Sequence, residues 1–311
     1  MARNVIISLL GPAPYRLPYL EDMDRLITEM ERHWEKELSH VLCSKPDLIV
    51  VPEACDRYPN FTMEERLRYY EAREDRIRDF FAEVCRRNHC NIAYSAARRL
   101  PDGSYRNSTQ LLDRQGNIAG IYNKNHLVVT EVSEGKMLCG REAPVFQLDI
   151  GRVACAICFD LNFDELRRKY EEQKPELILF SSMYHGGLVQ NEWAYHCRSY
   201  FAGAIAGLPC TVINPLGEVV AHSTNYYPFI TTKINLDYKM LHLDFNWEKI
   251  QAAKDKYGSA IEVRDPGFVG AVMLTSESTK FSAEDVVREF GMEQLDEYFA
   301  RSRQCRLENT E

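Results

Sequence analysis

Little in this sequence is biased, and each missing bias removes a class of protein. There is no basic stripe: 46 acidic residues against 38 lysines and arginines give a formal charge of −8. That is the wrong sign for a surface that must neutralise phosphates, so no nucleic-acid partner is expected. There is no clean apolar run of bilayer length. The longest uncharged stretch, 199–216, is interrupted by Gly203, Gly207, Pro209, Asn214 and Pro215; it reads as a buried helix end running into a strand, and no membrane partner is expected. The apolar stretch 5–10 is too short for a secretory segment and lacks a clear cleavage site, so it reads as a first strand and implies no export. No Pro/Gly/Ser-rich linker and no internal repeat occur, which predicts one domain over 1–275 followed by a helical extension over 276–311. Ten cysteines are present but scattered along 311 residues. They are expected to be reduced thiols in a cytoplasmic protein and not a disulfide framework.

What is there is a mixed α/β pattern. Short runs rich in valine and isoleucine predict strands at 5–10, 48–51, 91–96, 110–112, 118–122, 153–158, 177–180, 210–213 and 229–234. Helical periodicity falls between them at 21–42, 64–87, 162–172, 190–206 and 283–301, the second opening on a capping box from Thr62 to Glu65. Hairpin turns are legible at 114–116, 150–151 and 215–217, each with a glycine that tolerates positive φ. Strand–helix alternation mixed with hairpins predicts mixed sheets with helices on their outer faces.

Three segments put a reactive side chain at or just past the end of a predicted strand. In DLIVVPEACDRYP an apolar run leads into Pro52 and Glu53; in AGIYNKNHL Lys124 follows a strand by two residues; in GRVACAICFDLNFDE Cys158 ends a fully apolar strand ahead of a helix start. Carboxyl ends of strands are where open α/β sheets hold ligands. A thiol at a strand-to-helix turn faces backbone N–H groups that lower its pKa and can receive an oxyanion. A solvated glutamate, a surface lysine and an inert buried cysteine are the unremarkable alternatives for each segment taken alone. The pair Cys155 and Cys158 does not read as a redox or zinc motif: residues three apart on a strand face opposite sides, and no second CxxC or paired histidine completes a site. Cys55 is given no role.

Together the segments VVPE, YNKNHL and CFDLNFDE, with the three reactive positions 71 and 34 residues apart, resemble the nitrilase (carbon–nitrogen hydrolase) superfamily, in its amidase and N-carbamoyl hydrolase branches. The likeness runs from about residue 4 to about 236, where NPLGEVVA and FITTKINL look like the superfamily's late hairpin and strand. The resemblance implies an α/β four-layer α-β-β-α sandwich with mixed sheets. It implies Cys158 as nucleophile, Glu53 as general base and Lys124 beside the oxyanion. The second glutamate of such sites falls between the lysine and cysteine segments, where Glu134, six residues before Gly140, fits better than Glu131. Lys124 is expected to keep Glu53 ionised, and a neighbouring carboxylate to keep Cys158 from ionising too early.

This chemistry implies no metal and no cofactor. The expected substrate is a small-molecule amide or carbamoyl compound, and a homodimer or higher homo-oligomer would pair through the helices after Cys158 and from Gln190. Phe159 after the cysteine looks like the amidase and carbamoylase branches and unlike the C-W-E pattern of nitrile hydrolysis. The pocket should be lined by the loops after Glu53, Lys124 and Phe180, with His126, Tyr184 and His185 as candidate substrate-binding residues, although a structural role suits the two histidines better. No pair of adjacent arginines lies in those loops, which argues against a multiply anionic substrate. Departures exist: Asn162-Phe163-Asp164-Glu165 replaces the usual Arg-Phe-Pro-Glu, and HCRSYFAGAIAG lacks the customary glutamate. A catalytically silent binding or scaffold protein on the same fold, or a dithiol redox protein through Cys155 and Cys158, are the competing functions.

Overall fold

The apolar runs become strands and the amphipathic stretches become helices that cover them. The computed structural model describes residues 1–17 and 21–310. The chain divides into two compact units, one of Ile6–Lys233 and one of Met1–Val5 with Ile234–Glu311.

The first unit runs β1 (Asn4–Leu10), α1 (Met23–Leu42), β2 (Leu48–Val50), α2 (Met63–Arg73), α3 (Arg76–Asn88), β3 (Asn91–Arg99), β4 (Tyr105–Leu112), β5 (Ile118–Asn123), α4 (Val129–Ser133), β6 (Val145–Leu148) and β7 (Gly151–Ile157). A 3-10 turn (Cys158–Asn162) then leads to α5 (Asp164–Gln173), β8 (Leu177–Ser182), α6 (Leu188–Cys197), β9 (Tyr200–Ile205), β10 (Thr211–Ile213), β11 (Val219–His222) and β12 (Phe229–Asn235). Two six-stranded sheets result, in the orders β12-β1-β2-β3-β4-β5 and β11-β10-β9-β8-β7-β6. They face each other through β2 against β8 and β9 and β4 against β7, and the Ser181 hydroxyl donates across to the Val51 carbonyl at 2.8 Å. Helices α1 to α3 cover one sheet and α5 and α6 the other, which makes the expected four layers.

Helix α1 shows how the layers hold. Asp22 caps its start by accepting from the Arg25 N–H. Leu26, Ile27, Met30, Trp34, Leu38 and Val41 fall on one face and are buried against Ile49, Tyr58 and Phe81. Each fully buried side chain of this size contributes roughly 1.5–3 kcal/mol.

Strand directions decide where side chains can meet. β1, β2 and β3 run parallel, β4 runs against β3, and β5 runs against β4, so β5 points the same way as β2. The residues that follow both strands therefore leave the sheet at one edge. In the second sheet β7, β8 and β9 are parallel, which brings the turn after β7 and the loop after β8 to one edge as well.

The second unit holds β13 (Tyr238–His242), α7 (Trp247–Tyr257), a 3-10 turn (Gly258–Ala260), β14 (Ile261–Arg264), β15 (Ala271–Ser276), α8 (Ala283–Phe290) and α9 (Leu295–Glu308). Its three strands form an antiparallel sheet in the order β13-β15-β14, and Leu241, Ile250, Ile261, Val272, Leu274 and Val286 share its core.

Several expectations change. The division expected after residue 275 is drawn instead after Lys233, because β13 to β15 pool their apolar faces with α7 and α8. The helix expected over 64–87 is two, broken where Glu74 takes φ 47°. The helix expected over 190–206 stops at Cys197, and β9 follows, its apolar run hydrogen-bonded between β8 and β10. The helix expected over 283–301 is interrupted by Gly291, which caps α8 in the left-handed conformation.

Candidate active site

Three strand exits build the site. Glu53 follows β2, Lys124 follows β5 and Cys158 follows β7, and all three line one cavity of about 210 Å³. Cavities for drug-sized ligands span roughly 300–1,000 Å³, so this one suits a molecule of few atoms.

Lys124 is held at both ends. Its N–H donates to the Asn107 carbonyl and its own carbonyl accepts from the Gly140 N–H, both at 2.8 Å. Gly140 is required there, since a Cβ would come within 2.2 Å of the Asn123 carbonyl oxygen. The ammonium, 2% exposed, donates to Glu53 Oε1 and to Glu131 Oε2, each at 2.8 Å. The Asn107 amide donates to the same two carboxylates, at 2.8 and 2.7 Å. Two acids, one ammonium and one amide thus close a ring of charge-assisted hydrogen bonds. Burial by itself would lower the Lys124 pKa, but the Glu53 and then the Glu131 charge outweigh it and hold the ammonium above its ordinary value.

Cys158 sits on a turn that a side chain other than glycine rarely adopts, with φ 48°. Such a conformation costs on the order of 1–3 kcal/mol and persists only when its surroundings hold it. Asp160, fully buried, does so: it accepts from the Ile157 N–H at 3.0 Å, the Tyr122 hydroxyl at 2.7 Å and the His126 N–H at 2.8 Å. Burial, then the Glu53 carboxylate, push the Cys158 thiol up to about 12, against weaker pulls from Lys124 and a hydrogen bond with the Met183 backbone. The thiol therefore keeps its proton at neutral pH. A base beside it is needed to release a nucleophile, and the Glu53 carboxylate lines the same cavity.

Not every expected residue arrives. Glu134 is exposed at the end of α4 and does not reach Lys124, whereas Glu131 does. The first turn of α4 is the reason: Glu131 also accepts from the Val128 N–H at 2.9 Å, which aims its second function inward. His126 is committed elsewhere, to Asp160 at 3.1 Å and Glu165 at 3.2 Å, with its ring stacked on Phe163 at 3.8 Å. His185 accepts from the Gly187 N–H within its own turn, and Tyr184 closes a turn with the Ser182 hydroxyl. None of the three lines the cavity. The loop after β8 contributes Met183 instead, and Asn107, Arg57, Arg66, Met63, Tyr70 and Met137 complete much of the wall. Asn107 lies mid-chain in a strand with no motif around it. Arg66 is one basic residue of a charged helix, and nothing in the sequence singles it out.

Cys155 is fully buried within β7, and all ten cysteines are free thiols.

Fold and geometry define a class: a four-layer sandwich in which a cysteine, a lysine and two glutamates converge on one small cavity. The chain belongs to the carbon–nitrogen hydrolase family, whose model matches residues 16–237. It is 29% identical over 134 residues to a hydrolase encoded in the pqqF 5' region of Pseudomonas protegens, covering 43% of this chain and 47% of that protein. It is 26% identical over 174 residues to the chloroplastic omega-amidase of Arabidopsis thaliana, covering 48% of this chain and 46% of that one. The chain thus spans about half the length of these curated relatives. The crystal structure of a carbon–nitrogen hydrolase from Helicobacter pylori G27 superposes with a TM-score of 0.63 at 15% identity, covering 82% of this chain and 93% of that one; that likeness shows the fold. Among the described residues no helix is long and apolar enough to cross a membrane.

Proposed function

We propose that the protein hydrolyses a carbon–nitrogen bond of a small-molecule amide or N-carbamoyl compound through a cysteine thioester. The observation that carries this reading is the shared cavity in which Lys124, paired at 2.8 Å with both Glu53 and Glu131, stands with the protonated Cys158 thiol.

Glu53 takes the proton from Cys158 Sγ as the sulfur attacks the carbonyl carbon. Negative charge moves to the carbonyl oxygen, and the Lys124 ammonium stabilises it where bulk water would be a poor substitute. The tetrahedral species collapses, Glu53 returns its proton to the departing nitrogen, and a thioester to Cys158 remains. Water, giving a proton to Glu53, attacks that thioester; the acid leaves and the thiol is restored. Glu131 and Asn107 act as positioning residues, fixing the ammonium and the Glu53 carboxylate in register.

The test is to incubate the purified protein with nitriles, primary amides and N-carbamoyl compounds and to measure ammonia. Release from amides, or from carbamoyl compounds together with carbon dioxide, is the expected result; release from nitriles alone sinks the reading. We also propose that two copies pair through α5 and α6. Light scattering at micromolar concentration should give twice the chain mass, and a strict monomer removes that proposal.

A further inference from the structure

Beside the cavity at Cys158 lies a larger one of about 440 Å³ that the proposed chemistry does not use. The two have only Tyr70, on α2, and Ala97, on β3, in common among the described residues that line them, and each is 4% exposed. Ala97 brings a methyl group and its backbone, so the bulk between the two spaces is the Tyr70 ring. The two sides differ in character. Near Cys158 the wall beyond the charged set is apolar, with Met63, Val128 and Met137. The far side is polar, with Arg73, Arg78, Tyr94 and Gln110.

The ring is clamped where it stands. Helix α2 is fixed at its start by the Thr62–Glu65 capping box, and Arg73, its last residue, ties down both halves of the partition. Its guanidinium lies 5.3 Å from the centre of the Tyr70 ring and donates to the Ala97 carbonyl, while Asp56 accepts from its other arm. The rings of Tyr69 and Tyr105 pack against Tyr70 at 6.0 and 6.2 Å. A buried ring held by aromatic neighbours and a stacked cation has no free space to swing into, because such interiors are close-packed. A chain that grows from the reacting carbonyl towards α2 therefore stops at Tyr70, although open volume lies directly behind it.

We infer that Tyr70 is a specificity-determining residue: its ring closes the substrate cavity against the larger space and limits the hydrolysed compound to a short chain on the acyl side. This deepens the proposed hydrolysis and rests on it for the position of the reacting bond. The role belongs to the ring as a wall and does not require its hydroxyl.

The experiment measures ammonia release from butanamide, octanamide and 8-hydroxyoctanamide. In the unaltered protein kcat/KM should favour butanamide over octanamide by about 100-fold or more, since one methylene that a pocket does not fit is worth about 10- to 200-fold. Tyr70→Ala and Tyr70→Leu should each reduce that preference by at least about tenfold; the leucine variant keeps apolar bulk in the helix should the alanine variant fail to fold. 8-Hydroxyoctanamide should gain more than octanamide, because its hydroxyl reaches the polar side of the opened partition. Tyr70→Phe, which keeps the ring, should retain the preference of the unaltered protein. Circular dichroism and a thermal melt verify each fold. Comparable turnover of octanamide and butanamide in the unaltered protein, or a preference that the folded shortened variants leave unmoved, overturns the inference. An equal gain for octanamide and its hydroxylated form would mean a loosened site and not entry into the second space, and a preference lost in Tyr70→Phe would assign the effect to the hydroxyl; either also overturns it. If no compound releases ammonia, the hydrolytic reading has failed by itself, and alkylation decides the partition separately. Iodoacetamide and N-octyl-2-iodoacetamide are compared at Cys158 by peptide mass spectrometry, with the exposed Cys305 as reference. Discrimination against the octyl reagent at Cys158 that relaxes in Tyr70→Ala or Tyr70→Leu supports the inference, and discrimination no greater than at Cys305 overturns it.

Discussion

Two buried charge clusters lie in the same unit, a few residues apart in sequence, and they end differently. Asp56 and Arg73 form one: the guanidinium donates to the carboxylate and to the Ala97 carbonyl, and the two side chains are 0% and 5% exposed. Glu53, Lys124 and Glu131 form the other, with Lys124 equally buried. The first pair is flanked by Tyr69, Tyr70 and Tyr94, and the thiol beside it, Cys55, is held well above its ordinary value by burial and then by the Asp56 charge; the pair also borders a cavity of about 440 Å³, larger than that at Cys158. The second faces a thiol whose proton it can take. Buried charge and a large cavity are therefore poor signs of chemistry by themselves. What separates the clusters is a reactive atom placed where a strand ends and the backbone is turned to expose it.

The largest effect should come from the atom that distinguishes them. Cys158→Ala is expected to abolish ammonia release while the thermal melt stays near that of the unaltered protein, whereas Cys155→Ala, a buried thiol in β7, should change packing and leave the site assembled. Comparable activity loss with full stability in both variants would erase the distinction.

Next comes the structural cluster. Arg73→Met leaves Asp56 charged and buried and should lower the unfolding free energy by about 3 to 5 kcal/mol, read as a shift in the urea midpoint. Unchanged stability with lost turnover would mean that the two clusters have been assigned the wrong way round.

The third variant sharpens the contrast within the site. Glu53→Gln should slow turnover by at least about a hundredfold, the lower end for general acid–base catalysis. It also removes the second-largest influence that raises the Cys158 pKa, so the thiol should titrate below its value of about 12. Alkylation by iodoacetamide at pH 8 should then become faster even as catalysis collapses. Slower alkylation would show that the carboxylate activates the thiol toward every electrophile.

The smallest effect concerns pH. Folded pKa values raised above the ordinary thiol value of 9.0, to about 12 for Cys158 and Cys197 and about 11 for Cys210, mean that the folded state holds protons which the unfolded state releases. Stability from these groups is present below pH 9 and is lost as pH rises from 9 towards 12. The melting temperature should fall over that window, and less steeply in Cys158→Ser; a flat profile would contradict the burial of these thiols.

Much of this was legible beforehand in particular places. Apolar runs ending at Glu53, near Lys124 and at Cys158 marked the strand exits, and the Thr62–Glu65 capping box is present as read. Elements whose identity is local, such as α1 with its capped amphipathic face, were read almost to their ends. β9 was not, because an apolar stretch of alanines and glycine suits a buried helix or a buried strand equally until β8 and β10 claim its hydrogen bonds. Which glutamate pairs with Lys124, Glu131 and not the expected Glu134, was hidden for a related reason. Both are near Lys124 in sequence, and only the turn that starts α4 aims the first inward and leaves the second in solvent.

The sequence by itself determined which residues end strands, because that depends on apolar runs and the residues that interrupt them within a few positions. It also determined the family, through three short motifs in order. The tertiary structure alone decided which of those ends face one another. The shared direction of β2 and β5 places Glu53 and Lys124 at one sheet edge, and the opposed sheet brings Cys158 to them. It alone placed Asn107 and Arg66 on the wall, because Asn107 and Arg66 meet Cys158 by packing across roughly 50 to 100 residues of chain, and no local pattern encodes a contact at that separation.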